Sequence, residues 1–345
     1  TVLNPKLAEA ESKLPWVANG EKPLSPNAVK SYAGSLGIPV PASFAKDSED
    51  FLMWLDEYGQ KYEWAKAMGD YRSLNTLIGR IQSLRDGYDR ETNRFPYGIK
   101  YFGAATGRFS GGGEGGGKFN MQNTPRKAMY GIDVRPMFCA APGNKLIVSD
   151  YNQIEARYLL WRVGNEAALE PMRRGLSVYQ AYAEGCGFAA PGSDIKNTDD
   201  RLYKYCKAAC LGAGYGCGGA KFQKVAKLMA GLELSPNEAV AAVEDFRQRN
   251  PQIVRFWREH QDALAFSARR QDDTHQVELR SGRVLTYWEP RVVRGEIEVY
   301  QTRGEYKTKM YGGKLTENEV QASCRDILCD AWLACARAGL LPILN

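Results

Sequence analysis

Apolar residues recur along most of the chain at spacings of three and four, the period of a helix with one buried face. This pattern predicts mainly helical structure in three stretches: residues 26–92, 152–270 and 317–339. In the first stretch, residues 47–52 offer a capped helix start, and a longer helix is predicted over residues 62–84. Gly and Pro residues break the second stretch near residues 185–195. Residues 1–25 are polar and contain three prolines, so we expect a loosely structured lead-in.

Two further stretches have the patterning of β-strands. Residues 276–315 carry short apolar and β-branched runs around a turn at Ser281 and Gly282. Residues 135–150 include an apolar run that ends at Asp150, which predicts a buried strand. One stretch lies before the longest helical region and the other after it. The order therefore predicts an α+β fold in which one sheet is interrupted by a helical subdomain.

The composition is that of an ordinary globular protein. The 345 residues, 44% of them apolar and 25% charged, suffice for two or three compact lobes. The net charge of +6 gives mild support for a polyanionic partner, although the basic residues are spread along the chain. Eight cysteines occur without a C-x-x-C pair and with only two histidines, so we expect reduced thiols and no zinc site. The sequence contains no secretory or membrane-spanning apolar run.

The most informative segment is residues 146–157, in which the apolar run ends at Asp150 and polar residues follow. A carboxylate at the end of a strand, before a turn into a helix, is well placed to hold a divalent metal ion. Such an aspartate is more often, on its own, a helix cap or turn residue. Glu155 falls in the first turn of the expected helix, where the helix dipole also stabilises an acid.

A second motif has two halves, T-G-R-F-S at residues 106–110 and F-N-M-Q-N-T-P-R at residues 119–126. It combines a cation, amides and a hydroxyl with glycine-rich backbone, groups that contact phosphates and minor-groove base edges. A polar surface loop is the simpler alternative. A glycine-rich segment, residues 111–117, separates the halves and has no assigned role.

A third motif lies in residues 201–222. Lys204 and Lys207 are three residues apart, so a helix places both ammonium groups on one face, and Leu211 and Tyr215 extend that face at four-residue steps. A cation, an apolar residue and an aromatic ring in line suit a nucleoside triphosphate, with its phosphates at the lysine and its base near the tyrosine. The alternative is an amphipathic surface helix with glycines in the core.

The fourth motif is Y-G-G-K-L-T-E-N-E-V-Q-A-S-C-R-D-I-L at residues 311–328. It opens the last predicted helix, with Thr316 as the predicted N-cap. Asn318, Gln321 and Arg325 follow on this helix.

In this order, the four motifs resemble those of the family A DNA polymerases, the bacterial DNA polymerase I group, in its phage branch. The turn at residues 281–283 also resembles that branch, and the resemblance covers roughly residues 25–345. It implies a right-hand polymerase with a palm sheet, a helical fingers insertion and a partial helical thumb. The implied parts are a lead-in at 1–25, thumb and thumb-base helices at 26–100, palm at 101–150, mostly helical fingers at 151–270, and the second part of the palm at 271–345.

The reaction implied by this resemblance is template-directed addition of deoxynucleoside monophosphates to a primer 3′-end, with release of pyrophosphate, during phage genome replication. It proceeds by two-metal phosphoryl transfer with two Mg²⁺ ions, for which Mn²⁺ is the expected substitute. The expected partners are primer–template DNA and deoxynucleoside triphosphates. The expected location is the cytoplasm of an infected bacterial host cell, without membrane attachment.

The resemblance also implies roles for individual residues. Asp150 and Lys207 are the catalytic residues, and Asp150 with the backbone carbonyl of Tyr151 binds metal. Glu155 would exclude a 2′-hydroxyl. The full nucleotide-binding set is Glu155, Tyr179, Lys204, Lys207, Leu211, Tyr215 and Gly216. The DNA-binding set is Thr106, Arg108, Gln122, Asn123, Asn318 and Gln321.

The chain departs from the family pattern in three ways. Leu211 stands where many relatives carry Phe or Tyr, so expectations about dideoxynucleotides do not transfer, and Tyr203 stands where the family tends to carry Arg. The family's H-D-E turn, which supplies a second catalytic aspartate, does not follow the apolar run at residues 340–344. We therefore expect a fragment that needs a missing C-terminal segment. A split gene with a second polypeptide, an intein insertion site and a trimmed sequence all stay open.

Two other functions also stay open. A non-catalytic primer–template-binding fragment predicts salt-sensitive duplex binding without extension. A relative of the single-subunit RNA polymerases would share the palm chemistry. Glu155 and the Q-N-x-P element favour the DNA enzyme.

Overall fold

The computed structural model describes residues 2–45, 48–112 and 120–342. Most of the glycine-rich segment, Phe119 of the second motif and the end of the apolar run at 340–344 lie outside these ranges. The chain divides into two compact units. The first unit comprises Thr1–Lys100 and Ser110–Ile147, and the second comprises Tyr101–Phe109 and Val148–Asn345.

The first unit is built mainly from helices, as predicted for residues 26–92. Its helices are α1 (Leu3–Ser12), α2 (Pro26–Ser35), α3 (Glu49–Lys61) and α4 (Glu63–Gly87). The strands β1 (Ile99–Lys100) and β2 (Ser110–Gly111) pair antiparallel. Short 3-10 helices occur at Val17–Asn19, Met121–Asn123 and Arg135–Met137. Ser48 caps α3, because its hydroxyl accepts a hydrogen bond from the backbone N–H of Phe51 at 3.4 Å.

The prediction of a loosely structured lead-in is wrong. Helix α1 occupies residues 3–12, and its face with Leu3 and Ala10 is buried in one cluster with Leu74 and Leu77 of α4. The one proline in α1, Pro5, does not oppose this, because it lies in the first turn, where the missing N–H has no intrahelical partner.

The second unit contains the predicted helical stretch and its break. Its helices before the sheet are α5 (Ile154–Arg162), α6 (Glu166–Arg173), α7 (Val178–Gly185), α8 (Ile195–Thr198), α9 (Asp200–Gly212), α10 (Gly219–Ala230), α11 (Pro236–Arg249) and α12 (Pro251–Arg270). A 3-10 turn, Ala213–Tyr215, follows α9 directly. These helices share one apolar core with Phe222 and Ile253 at its centre.

An antiparallel sheet and a long helix complete the second unit. The strands are β3 (Thr274–Glu278), β4 (Val284–Val293), β5 (Glu296–Tyr300) and β6 (Lys307–Met310), in that spatial order. The final helix is α13 (Gly312–Arg337). Leu285 and Val299 on the inner face of the sheet are buried in one cluster with Leu264 of α12 and Leu315 of α13. None of the helices in the described ranges is long and apolar enough to cross a membrane.

The predicted N-cap of the last helix is wrong. Helix α13 begins at Gly312, so Thr316 lies inside it and is completely buried. The Thr316 hydroxyl donates to the Gly312 carbonyl oxygen at 3.0 Å, four residues earlier, which satisfies it without a cap.

The strand predicted at residues 135–150 is also wrong. Residues 135–137 form a 3-10 turn, and residues 138–150 have no regular structure. Ile147 and Val148 are 83% and 92% exposed. An apolar run becomes a strand only when a neighbouring strand satisfies its backbone groups, and no strand in the described ranges lies beside it. The predicted single sheet is therefore absent there, since β3 to β6 all follow the helical stretch.

Candidate functional site

The turn that carries Asp150 is fixed to the helices around it. The guanidinium of Arg157 on α5 donates through Nε to the carbonyl oxygen of Asn152 at 2.9 Å. Gln153 adopts a left-handed backbone conformation with φ of 55°, and its side-chain oxygen accepts from the N–H of Val178 at 2.7 Å. Asp150 itself is exposed. The structure thus presents this carboxylate to solvent on a turn held at its C-terminal end.

The structure brings Arg108 of the T-G-R motif to Glu155 in the first turn of α5. Nη1 of Arg108 lies 3.4 Å from Oε1 of Glu155, and both side chains remain partly exposed. Burial raises the pKa of Glu155, and the neighbouring carboxylate of Glu317 adds to this, while the charge of Arg108 opposes it. The net pKa shift is upward. A cation and a partly desolvated carboxylate from two distant motifs therefore share one site.

Tyr215 and Gln321 join the same neighbourhood through Glu317. Burial raises the pKa of Tyr215 well above its usual range, and the charges of Glu155 and Glu317 add to the shift. Glu317 accepts a hydrogen bond from Nε2 of Gln321 at 3.1 Å and pairs with Lys314 at 2.9 Å. Sequence reasoning missed Glu317. Its spacing of four residues before Gln321 on a helix was the signal that could have found it.

The backbone of Tyr215 makes a close contact with the start of α13. A Cβ atom on Gly313 would overlap the carbonyl oxygen of Tyr215, and one on Gly312 would overlap the carbonyl oxygen of Trp257. The indole of Trp257 donates to the carbonyl oxygen of Gly214 at 3.0 Å. Two glycines are thus required where α12, α13 and the 3-10 turn meet.

Replacing Gly313 by alanine is expected to lower the free energy of unfolding by roughly 1–3 kcal/mol, because the backbone of Tyr215 must move away from the new methyl group. Gly185 at the end of α7 has no neighbour within 4 Å of an added Cβ, so Gly185→Ala is the matched control. Urea unfolding measures both. Equal midpoints for the two variants would show that the contact at Gly313 is not tight.

Helix α9 carries Lys204 and Lys207 as predicted, but both ammonium groups already have partners. Lys204 pairs with Asp200 at 2.6 Å, and Lys207 donates to the carbonyl oxygen of Met229 at 3.2 Å. The expectation that Tyr215 continues this helical face is wrong, because α9 ends at Gly212 and Tyr215 lies in the 3-10 turn. The lysines and the tyrosine therefore belong to consecutive elements.

Leu211, Gly216 and Tyr179 lie near these elements in the second unit. Leu211 and Gly216 are partly buried, and Gly216 has a left-handed φ of 78° beside Gly313. Tyr179 on α7 is 7% exposed, and its ring meets that of Tyr203 edge-on at 5.5 Å. Tyr203 thus packs against a member of the predicted nucleotide-binding set.

Some predicted DNA-binding residues face inward. Asn318 is 4% exposed and its amide donates to the hydroxyl of Tyr287 at 3.0 Å, so this side chain is engaged inside the second unit. Thr106 is also buried, and its backbone carbonyl oxygen accepts from the guanidinium of Arg283. Gln122 and Asn123 belong to the first unit and lie in a 3-10 turn capped by Asn120.

The part of the chain that the structure describes contains no group of three or more His, Cys, Asp or Glu side chains that could hold a metal ion. Asp150 is a single exposed carboxylate beside the backbone carbonyl of Tyr151. Proteins usually bind Mg²⁺ through one or two carboxylates together with water and substrate phosphates. Asp150 therefore fits one position of such a site, and the remaining ligands must come from elsewhere.

The described fold is that of a polymerase domain. It matches the solved "POL domain of Pol1 from M. smegmatis complex with DNA primer-template and dNTP" with a TM-score of 0.67 over 98% of this chain and 55% of that one. The sequence identity is 18%, so this likeness concerns the fold. A family model described as DNA polymerase family A matches residues 12–280. The chain belongs to this family.

The sequence is similar to several curated polymerases. It is 29% identical over 235 residues to the DNA polymerase of Bacillus phage SP02, covering 61% of this chain and 36% of that protein. It is 33% identical over 144 residues to DNA polymerase I of Chloroflexus aurantiacus, covering 41% and 15%. For DNA polymerase I of Pseudomonas aeruginosa the identity is 29% over 226 residues, covering 64% and 23%. The chain thus spans 15% to 36% of the length of these relatives.

Proposed function

We propose that this chain carries the nucleotidyl-transfer site of a DNA-directed DNA polymerase, which extends a primer 3′-end along a template and releases pyrophosphate. The observation that carries the proposal is the ion pair of Arg108 and Glu155, which are 47 residues apart in the sequence. It joins the T-G-R motif to the helix that follows Asp150. Similarity to a phage polymerase supports a role in phage genome replication, in the cytoplasm of an infected bacterium.

The lobes that we propose follow the motif boundaries. Residues 26–100 form the thumb and its base, residues 151–270 the fingers, and residues 101–150 and 271–345 the palm. The helices of the proposed fingers share one core, which supports treating them as one subdomain. The buried face of the sheet packs with α12 and α13, which supports a palm made from the last part of the chain.

The incoming nucleotide is proposed to lie between α9 and the Glu155 neighbourhood. Lys207 would leave the Met229 carbonyl to bind phosphate, and Glu155 with Tyr215 would border the sugar and base. A carboxylate under the sugar would exclude a 2′-hydroxyl, since it leaves no room for another oxygen. In the second unit, duplex DNA would contact the polar side chains of Arg108 and Gln321, which are exposed and partly exposed. In the first unit, the proposed DNA contacts are Gln122 and Asn123, which are partly exposed and exposed.

Asp150 would bind Mg²⁺, together with the Tyr151 carbonyl and the substrate phosphates. The metal would supply charge neutralisation for phosphoryl transfer. The other carboxylate that this chemistry needs is proposed to come from an H-D-E segment, either further along the same polypeptide or on a second one. The role of this chain's residues is to hold the primer end, the triphosphate and one carboxylate in register.

Capture of the next nucleotide tests the proposal without requiring chemistry. Primer–template DNA with a dideoxy-terminated primer is bound to the chain, and its dissociation is followed by fluorescence anisotropy with each nucleotide in turn. We expect the complementary deoxynucleotide to slow dissociation about tenfold or more, in contrast to the three others. Equal effects of all four would favour the non-catalytic DNA-binding fragment. A preference for the complementary ribonucleotide would favour the RNA polymerase relative.

Lys207→Ala is expected to weaken complementary-nucleotide capture by about tenfold or more, because a charge-assisted contact to phosphate is lost. Its affinity for primer–template DNA should stay unchanged. Lys221→Ala, an exposed lysine on α10, is the control. The two effects are separated by titrating DNA and nucleotide independently. A loss confined to DNA affinity would contradict the phosphate role of Lys207.

A further inference from the structure

Arg283 lies just before β4, and its guanidinium links its own turn to two other segments of the second unit, α13 and the segment that contains Thr106. Nε donates to Oδ1 and Oδ2 of Asp326 at 3.0 and 3.2 Å. Nη1 and Nη2 donate to the carbonyl oxygen of Thr106 at 3.2 and 3.1 Å, and Nη2 also donates to that of Ala322 at 2.9 Å. Ser281 in the same turn donates to Asp326 at 2.6 Å. A planar fork of five N–H donors suits this arrangement, and the single ammonium of a lysine does not.

The segment that contains Thr106 has a second anchor on α13. The buried guanidinium of Arg325 lies over the rings of Tyr101, Phe102 and Phe109, at 4.5, 5.0 and 5.1 Å from their centroids. Its Nη1 donates to Asp326 at 3.3 Å. Cation–π contacts of a desolvated guanidinium are stabilising. Residues 101–109, which we call the T-G-R loop, are thus anchored twice: through the Thr106 carbonyl to Arg283, and through their aromatic rings to Arg325 on α13.

The loop is closed on itself at the place where Arg283 contacts it. The N–H of Gly107 donates to the Ala104 carbonyl at 2.8 Å, and that of Gly103 donates to the Arg108 carbonyl at 3.1 Å. Gly107 has a φ of 83°, and an added Cβ would lie 2.9 Å from Nη1 of Arg283. Glycine is therefore required here both for its conformation and for the approach of the guanidinium.

We propose that Arg283 is a positioning residue for Arg108. By holding the carbonyl of Thr106, it fixes the backbone two residues before Arg108, so that the Arg108 guanidinium stays beside Glu155 with its side chain half exposed. The ligand that the Arg108 guanidinium would contact in this position is the minor-groove edge or a phosphate of a primer–template duplex. The assignment of that ligand rests on the proposed function. The hydrogen bonds that join Arg283 to Thr106 and Asp326, which we call the clamp, do not depend on it.

Amide hydrogen exchange tests the clamp without DNA. In Arg283→Lys, the amides of Gly103 and Gly107 are expected to exchange about tenfold or more faster than in the wild type, because charge-assisted bonds to the loop are lost. The exchange rates of the backbone amides that pair β4 with β5 should be unchanged. Arg280→Lys, an exposed arginine before the same turn, is the control. If Arg283→Lys does not fold, Asp326→Asn, which keeps the arginine, should produce a smaller change at the same two amides. Unchanged exchange at both glycines would overturn the clamp.

A double-mutant cycle on primer–template affinity tests the link to Arg108. Arg283→Lys should weaken binding by about five- to tenfold in the wild-type background and by less than about twofold in Arg108→Ala. A general structural defect would give the same loss in both backgrounds and would overturn the positioning role. A wild-type chain without duplex affinity would instead overturn the proposed function, and the exchange result would still decide the clamp.

Discussion

Replacement of Asp150 by alanine is expected to reduce primer extension by about 10³-fold or more, in whichever form of the protein extends a primer. Metal-assisted stabilisation of charge contributes several kcal/mol to phosphoryl transfer, and each loss of about 1.4 kcal/mol slows the reaction tenfold. Affinity for primer–template DNA should be retained, because Asp150 is exposed and its removal leaves the buried core intact. Extension rates and anisotropy titrations measure the two quantities separately.

The matched control is Asp262→Ala, an exposed aspartate on α12. It removes the same charge from the second unit and should leave both extension and DNA binding unchanged. Turnover by Asp150→Ala at the wild-type rate would rule out the metal role of this residue. A parallel loss of DNA affinity would show that Asp150 supports the structure of the site instead.

The largest expected effect on stability is at Glu319 of α13, which is 1% exposed. Its carboxylate accepts from Nε of Arg162 on α5 at 2.6 Å and lies 3.0 Å from Nε2 of His260 on α12. Glu319→Gln is expected to lower the free energy of unfolding by roughly 3–5 kcal/mol, because it leaves a largely buried arginine without its counter-charge. Urea unfolding measures this, and the exposed Glu244→Gln on α11 is the control. A difference below about 1 kcal/mol would show that the buried contacts of Glu319 with Arg162 and His260 contribute little to stability.

The Glu319 carboxylate should also make the free energy of unfolding depend on pH. Burial alone would raise the pKa of Glu319, but the hydrogen bond from His260 and the charge of Arg162 outweigh it and lower the pKa below 4.5. A depressed pKa means that this stabilisation is fully present above about pH 4.5 and is lost as the pH falls through the folded-state value. The difference between wild type and Glu319→Gln should therefore be constant near neutral pH and shrink in acid. If the difference in unfolding free energy between the two proteins grew in acid, the pKa of Glu319 would be raised and not lowered.

Local sequence pattern predicted the elements that depend mainly on their own residues. The long helix over residues 63–87, the helical stretch from α5 to α12 and the strands around the turn at 281–283 have strong periodicity and clear breaks. Elements that depend on distant partners were predicted wrongly. The apolar run before Asp150 has a strand-like sequence, yet no described strand pairs with it. Helix α1 was missed because its stability comes from packing with α4.

In the candidate site, too, the features that depend on local sequence were predicted and those that depend on distant partners were not. The motifs predicted Arg108 and Gln321 as DNA contacts and Glu155 as a nucleotide contact, and the structure brings these three residues into one neighbourhood through Glu317. The motif gave no sign that Asn318 is buried. Its amide donates to a hydroxyl on a strand 31 residues earlier in the sequence, a contact that no local pattern shows. The contact of Arg283 with Thr106 spans 177 residues and leaves no local pattern. Side chains that position others are therefore found only in the folded chain.

The most direct test is primer extension with Mg²⁺ and four deoxynucleotides, using this chain alone and then mixed with a polypeptide that carries an H-D-E segment. We expect template-directed extension in the mixture, none by the chain alone, and none by the Asp150→Ala mixture. Extension by the chain alone would show that another carboxylate completes the site and that the assigned ligand set is wrong. A mixture that binds primer–template DNA tightly but never extends the primer would contradict the proposed polymerase activity.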